Sequence, residues 1–200
     1  MTMATGKLHW RRRGDWLAIL VGAAPLLLLI DDFRYFIESR MLFHMLVEFP
    51  LLFASGAVIG ARSSQAARVF EAVDYRGFTG VTLMLCVSTY WMIPSSLDSA
   101  LLYPMTAFWK YVSWWAAGCL LAMSWRRLDD VLLMFLFGNL CWMLASAGLL
   151  YESSSSRLCV NYLFGDQQTT GRALVALAIA MGALLMHRIY QSSVASSASP

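Results

Sequence analysis

The feature that most constrains this chain is the segregation of its charges. Apolar runs at roughly Trp16–Ile30, Met41–Gly60, Phe78–Ile93, Met105–Trp125, Val131–Tyr151 and Ala173–Ile189 alternate with short segments that hold most of the charged residues. A helix of about 20 apolar residues crosses the hydrocarbon core of a bilayer, and fewer suffice where the bilayer thins or long side chains snorkel. Only 14% of the residues are charged, against about a quarter in soluble domains. The pattern predicts an all-α fold, a polytopic membrane helical bundle of about six transmembrane helices. It would occupy residues 16–190, between a basic segment 1–15 and a Ser/Ala-rich tail 191–200 expected to be disordered. Pro25 and Pro50 fall inside apolar runs, which membrane helices tolerate better than soluble ones. Lys7, Arg11, Arg12 and Arg13 precede the first run, but Asp31, Asp32, Phe33 and Arg34 follow it without a small-x-small cleavage site, so an uncleaved first helix is expected.

Orientation follows from the arginines. One set of connecting segments holds Lys7, Arg11–Arg13, Arg62, Arg68, Arg76, Arg126, Arg127 and Arg188. In the other set, Arg34, Arg40, Arg157 and Arg172 are balanced by Asp31, Asp32, Glu38, Asp98, Glu152 and Asp166. The positive-inside rule makes the first set cytoplasmic, which predicts both termini inside and a multi-pass protein of a bacterial inner membrane. The second set gives external loops at Asp31–Arg40, Pro94–Pro104 and Glu152–Arg172. Interfacial rings are expected at Trp10, Trp16 and Trp125 on the inner side and at Trp91, Tyr103, Trp109, Tyr111 and Tyr151 on the outer side. The net charge of +3 lies in loops and forms no basic stripe with interleaved aromatics, which excludes a nucleic-acid partner. Cys86, Cys119 and Cys141 lie in apolar runs as small hydrophobes, and Cys159 lies in a loop without an obvious partner.

Polar groups at membrane depth are costly and mark candidate sites. His44 and Glu48 are four residues apart and share a helix face. With Met45 between them they form a set that could hold copper, since thioether sulfur favours Cu(I) and imidazole suits either copper state. The competing reading is a His–Glu hydrogen bond that braces the bundle. Met92 and Met105, expected at the same external level, are further soft donors, although most methionines in so apolar a chain serve packing. Asp166-Gln167-Gln168-Thr169-Thr170-Gly171, at the entrance to the last run, reads as a helix cap with a glycine that permits close packing. No haem is expected, because His44 and His187 fall at opposite ends of their runs and His9 outside them. No metalloprotease, nucleotide-binding or nucleophile-elbow motif is present, so the chain is not expected to be an enzyme.

Several of these segments together resemble the CtaG-type cytochrome c oxidase assembly family. They are Tyr90-Trp91-Met92-Ile93-Pro94, Leu97-Asp98-Ser99-Ala100-Leu101, Pro104, and Trp114 through Gly118 to Trp125. Asp166-Gln167-Gln168-x-x-Gly171, preceded by Leu150-Tyr151, resembles that family's DQQ-x-x-G signature, and His44-Met45 followed by Pro50-Leu51-Leu52 resembles its histidine-bearing helix. The resemblance spans about residues 40 to 185 and marks Trp91, Pro94, Asp98, Asp166, Gln167, Gln168 and Gly171 as structural motif positions. It implies a role in maturing haem–copper oxidases by handling copper at the outer face.

The chain departs from the family where copper would bind. Glu48 stands where a second histidine of an H-x-x-x-H is usual, Met92 follows Trp91 in place of a histidine, and Ala107, Lys110 and Tyr111 fall on a histidine–glutamate–histidine cluster. Lys110, when protonated, is a poor neighbour for a cationic metal. Two functions are therefore expected. One is copper handling in oxidase assembly, with His44, Met92, Met45, Glu48 and Met105 as ligands. The other is a non-catalytic accessory subunit of a respiratory or other redox membrane complex that keeps the fold without the copper site. The partners in either case are the lipid bilayer and a haem–copper oxidase subunit or another respiratory complex.

Overall fold

The computed structural model describes residues 16–197, with side-chain surroundings to residue 191. The expectations for Lys7, His9, Trp10, Arg11–Arg13 and residues 198–200 lie outside that range. The described residues form helices joined by short connecting segments, with no strand among them. Its helices are α1 (Trp16–Leu29), α2 (Asp31–Glu38), α3 (Met41–Arg62), α4 (Ser64–Glu71), α5 (Phe78–Trp91), α6 (Pro94–Leu102), α7 (Pro104–Ser124), α8 (Asp130–Ser153) and α9 (Phe164–Ser197).

The chain is a membrane protein in which, among the described residues, three helices, α3, α8 and α9, are long and apolar enough to cross a bilayer. The number rises to five if each of two bent pairs counts as one span: α1 with α2, bent by 93°, and Tyr75–Trp91 with α6, bent by 76°. About six transmembrane helices were expected, and proline explains the bends in these two pairs. In α1 the helix tightens to 3-10 geometry over Ala24–Leu29 with Pro25 in its first turn, and Ile30 is extended. Ile93 is extended ahead of Pro94, as the ring of a following proline demands. Two expected external loops, Asp31–Arg40 and Pro94–Pro104, are therefore largely the short helices α2 and α6. α7 has 21 residues, about 31 Å of helix, but Lys110 and the rings of Trp109, Tyr111, Trp114 and Trp115 lower its hydropathy. α9 continues to Ser197, beyond residue 191 where the tail was expected to begin.

Close backbone contacts hold the bundle together. α3 and α7 run parallel, and a Cβ at Gly56 would overlap the carbonyl of Trp115, one at Gly60 that of Cys119, and one at Gly118 that of Phe53. This is the small-xxx-small packing of membrane helices, which lack a hydrophobic drive between them. α8 and α9 run antiparallel, and a Cβ at either Gly148 or Gly171 would lie 2.7 Å from the other's carbonyl oxygen. The outward faces of α8 and α9 remain apolar and exposed, at Phe135, Trp142, Leu149, Ile179 and Leu184 among others, which is the surface a lipid-facing helix presents. Trp91 and Tyr151, expected at the interface, are instead buried: the Trp91 indole N–H donates to Ser113 Oγ at 2.8 Å, and the Tyr151 hydroxyl donates to the Met92 carbonyl at 3.1 Å. Tyr103 and Trp109 are exposed.

Candidate functional site

Residues His44–Glu48 form a widened π-helical turn inside α3. The local cause is Pro50, which has no N–H to give to the Leu46 carbonyl and whose ring crowds that carbonyl. Such π turns concentrate at functional sites. The turn carries His44 and Glu48 inward, where neither side chain is exposed.

Lys110, from α7 and also fully buried, meets them. Its Nζ lies 2.6 Å from Glu48 Oε1, 2.8 Å from Glu38 Oε1 and 3.1 Å from His44 Nε2. An ammonium has three donors, and three acceptors surround it here. Its contact with Glu48 is an ion pair without hydrogen-bond alignment, so neither Glu48 oxygen has a hydrogen-bond partner among the described residues. Glu48 Oε2 lies 3.9 Å from His44 Nε2. Glu38, at the end of α2, also accepts from the Tyr111 hydroxyl at 2.8 Å, and Arg34 Nε lies 3.9 Å from its Oε2. Lys110 thus lies against both carboxylates, and Arg34 adds a more distant charge at Glu38 while its closer partner is Asp31 at 3.0 Å. Pairing of this kind is the condition under which buried charges are tolerated.

The second imidazole nitrogen is occupied as well, with Nδ1 2.6 Å from the Tyr162 hydroxyl. A protonated Lys110 leaves Nε2 as acceptor, which places the ring proton on Nδ1 and makes the Tyr162 oxygen its acceptor. Tyr162 lies in the segment between α8 and α9, and burial, followed by the charges of Glu48 and Glu38, pushes its phenol well above the usual range. Phe49 closes the site edge-on to His44, with ring centroids 5.3 Å apart, and stacks on Trp114 at 4.9 Å.

The DQQ segment builds the frame around this cluster. Arg40 cannot cap the start of α3, and Asp166 of α9 does so across the bundle: its Oδ2 accepts from Met41 N at 2.9 Å. Gln167 is buried; its Oε1 accepts from Leu158 N at 2.8 Å and its Nε2 donates to the Tyr151 carbonyl at 3.2 Å. Asp98 on α6 accepts from Val160 N at 2.8 Å and from the Asn161 side chain at 3.2 Å. Together these bonds fix the Tyr162 segment over the cluster. Gln168 is half-buried and makes no side-chain hydrogen bond among the described residues. Pro94 opens α6, with its carbonyl 3.9 Å from the buried Cys159 thiol.

Of the expected copper ligands, the structure brings His44 and Glu48 together. Met45 is buried in the core, one residue from His44 and so on another side of the helix. Met92 is partly buried against the core, and Met105 is exposed at the start of α7. Among the described residues no group of three or more His, Cys, Asp or Glu side chains is arranged to hold a metal ion. A copper ion on His44 Nε2 would have to displace the Lys110 ammonium or lie against it, and like charge opposes the latter. The donors as placed fit an ammonium. Glu38 and Tyr162, essential to the cluster, were not singled out from the sequence, and a lone lysine inside an apolar run is the signal that points to it.

A second buried carboxylate anchors the opposite end of the bundle. Asp74 Oδ1 accepts from Thr79 N at 3.1 Å and so caps α5, while its Oδ2 accepts from Ser124 Oγ at 2.7 Å and pairs with Arg127. Compared with known proteins, the chain matches no family model, and no curated protein or solved structure is significantly similar to it.

Proposed function

We propose that this protein is a non-catalytic accessory or assembly factor of a respiratory membrane complex, a haem–copper oxidase being the first candidate, and that Lys110 is its resident cation where a related site would hold a metal. The observation that carries this reading is the placement of Lys110 Nζ within 3.1 Å of His44, Glu38 and Glu48 in a fully buried position. A covalently supplied cation offsets the charge of the carboxylates without a metal and cannot be passed on, which suits a structural role.

In this reading the protein sits in a bacterial inner membrane with both termini inside. The three straight spans, the two bent pairs and the 21-residue α7 together give six crossings. The groups at the Arg62, Arg126 and Arg188 end then face the cytoplasm, and the Lys110 cluster lies near the outer face. Purification in mild detergent should return the chain in fixed stoichiometry with subunits of a larger complex that carries redox cofactors. A monodisperse chain that captures no such complex would overturn the proposal.

A second reading, copper handling, is favoured by one observation: the buried Glu48 carboxylate lacks a hydrogen bond. In that case His44 and Glu48, with thioethers from Met45, Met92 or Met105, would hold Cu(I) after Lys110 moves aside. Stoichiometric copper that is lost on His44→Ala would support it.

A further inference from the structure

At the end of the bundle away from Lys110, an apolar groove of about 600 Å³ opens between α3, α5, α7 and α8. This falls in the range of ligand sites, about 300–1,000 Å³. Its walls are apolar side chains, among them Phe53, Met84, Leu136 and Leu140, and its floor is kept open by Ala57, Ala61 and Ala122. Two arginines, Arg62 and Arg126, stand at the groove, each exposed and without a carboxylate partner among the described residues. Trp125 lies beside them and is exposed.

The neighbouring chain fixes the depth of these arginines. Arg62 ends α3, and α4 follows at once as an eight-residue amphipathic helix with no buried residue. Such a helix lies in the plane of the headgroups, and tryptophan concentrates at the same level. The groove therefore starts among the headgroups with two free positive charges and continues into the hydrocarbon as an apolar slot. Among the described residues no carboxylate lines the groove: at this end Asp74 is bound by Ser124 and Arg127, Glu71 pairs with Arg127, Asp129 accepts from Leu132 N, and Asp130 lines a separate pocket with Arg188.

We propose that this groove binds one anionic phospholipid, with its phosphate between Arg62 and Arg126 and an acyl chain along Ala57, Ala61 and Ala122. The charge complementarity selects the headgroup and the apolar walls select the chain. An arginine near the membrane surface favours an anionic lipid enough that two of them give a preference of about tenfold or more.

The test is native mass spectrometry of the full chain released from mixed micelles holding equal amounts of phosphatidylglycerol and phosphatidylcholine. The parent should retain one phosphatidylglycerol, at about tenfold preference over phosphatidylcholine. Arg62→Gln with Arg126→Gln, both on exposed side chains, should bring the two lipids to parity. Ala61→Phe should reduce retention of both. Equal retention of the two lipids by the parent, or an unchanged preference in the double arginine variant, would overturn the proposal. So would displacement of phosphatidylglycerol by an equimolar polyprenyl phosphate, which would assign the groove to a different amphiphile.

Discussion

Lys110 Nζ and Glu48 Oε1 lie 2.6 Å apart, on parallel helices, with neither side chain exposed. Removing one partner of a buried pair leaves an uncompensated charge, which costs about 3–5 kcal/mol. Lys110→Met should therefore lower stability in detergent by that order. Lys110→Met combined with Glu48→Gln should cost less than the two single changes summed, because residues in contact couple. Unfolding titrations of the four proteins measure the coupling, and additive losses would mean that the pair does not act as a unit.

The parallel packing of α3 on α7 rests on glycines that leave no room for a Cβ. Gly56→Ala and Gly118→Ala each place a methyl group on a backbone carbonyl of the opposite helix, so the helices must separate and the Lys110–Glu48 contact must open. Gly138 and Gly182 have open space at the same position, and alanine there should be neutral or slightly stabilising through helix propensity. Thermal melts of the four variants should separate into these two classes.

The cap that Asp166 supplies to α3 from a distant helix should behave like any other N-cap. Asp166→Ala should cost about 1 kcal/mol. Gln167→Ala should cost more, about 1–3 kcal/mol, because it strands the buried partners of its amide. Hydrogen exchange at residues 156–163 should accelerate in Gln167→Ala and stay unchanged at Ala178 on α9.

Cys159 is buried, and burial followed by the charge of Asp98 pushes its thiol up to about 12. The unfolded thiol titrates near 8.5, so the folded state favours the protonated form. This contribution is complete below the unfolded value and is lost as pH rises through the folded one. Alkylation at pH 9 should leave Cys159 unmodified until the protein is denatured, whereas a cysteine introduced by Val160→Cys, exposed in the same segment, should react at once. Mass mapping of the modified residues decides the matter.

Much of the bundle was legible in the sequence because apolarity sets it. The runs Met41–Gly60 and Val131–Tyr151 fall within two residues of the helices Met41–Arg62 and Asp130–Ser153. The start of α9 was less legible. Asp166 and Gln167 read as a cap at the entrance to the last helix, yet they sit inside its first turn and send their polar groups to other elements, Asp166 capping α3 instead. The bends at Pro25 and Pro94 follow from backbone sterics, but the size of each bend depends on packing that no local pattern encodes. His44 and Glu48 share a face by spacing alone. Glu38, 72 residues from Lys110, and Tyr162, 118 residues from His44, reach the cluster only through the tertiary fold. The spacing Gly56-x-x-x-Gly60 carries the α3–α7 contact and is visible in the sequence, though a reading by charge and apolarity passes over it.

Lys110 is proposed as the resident cation of the buried His44–Glu48 site. The most direct test is the copper bound per chain after anaerobic purification in mild detergent with Cu(I) supplied, compared with Lys110→Ala and His44→Ala. The expected result is no bound copper on the parent. One copper per parent chain, lost in His44→Ala, would contradict the claim and assign the site to metal handling.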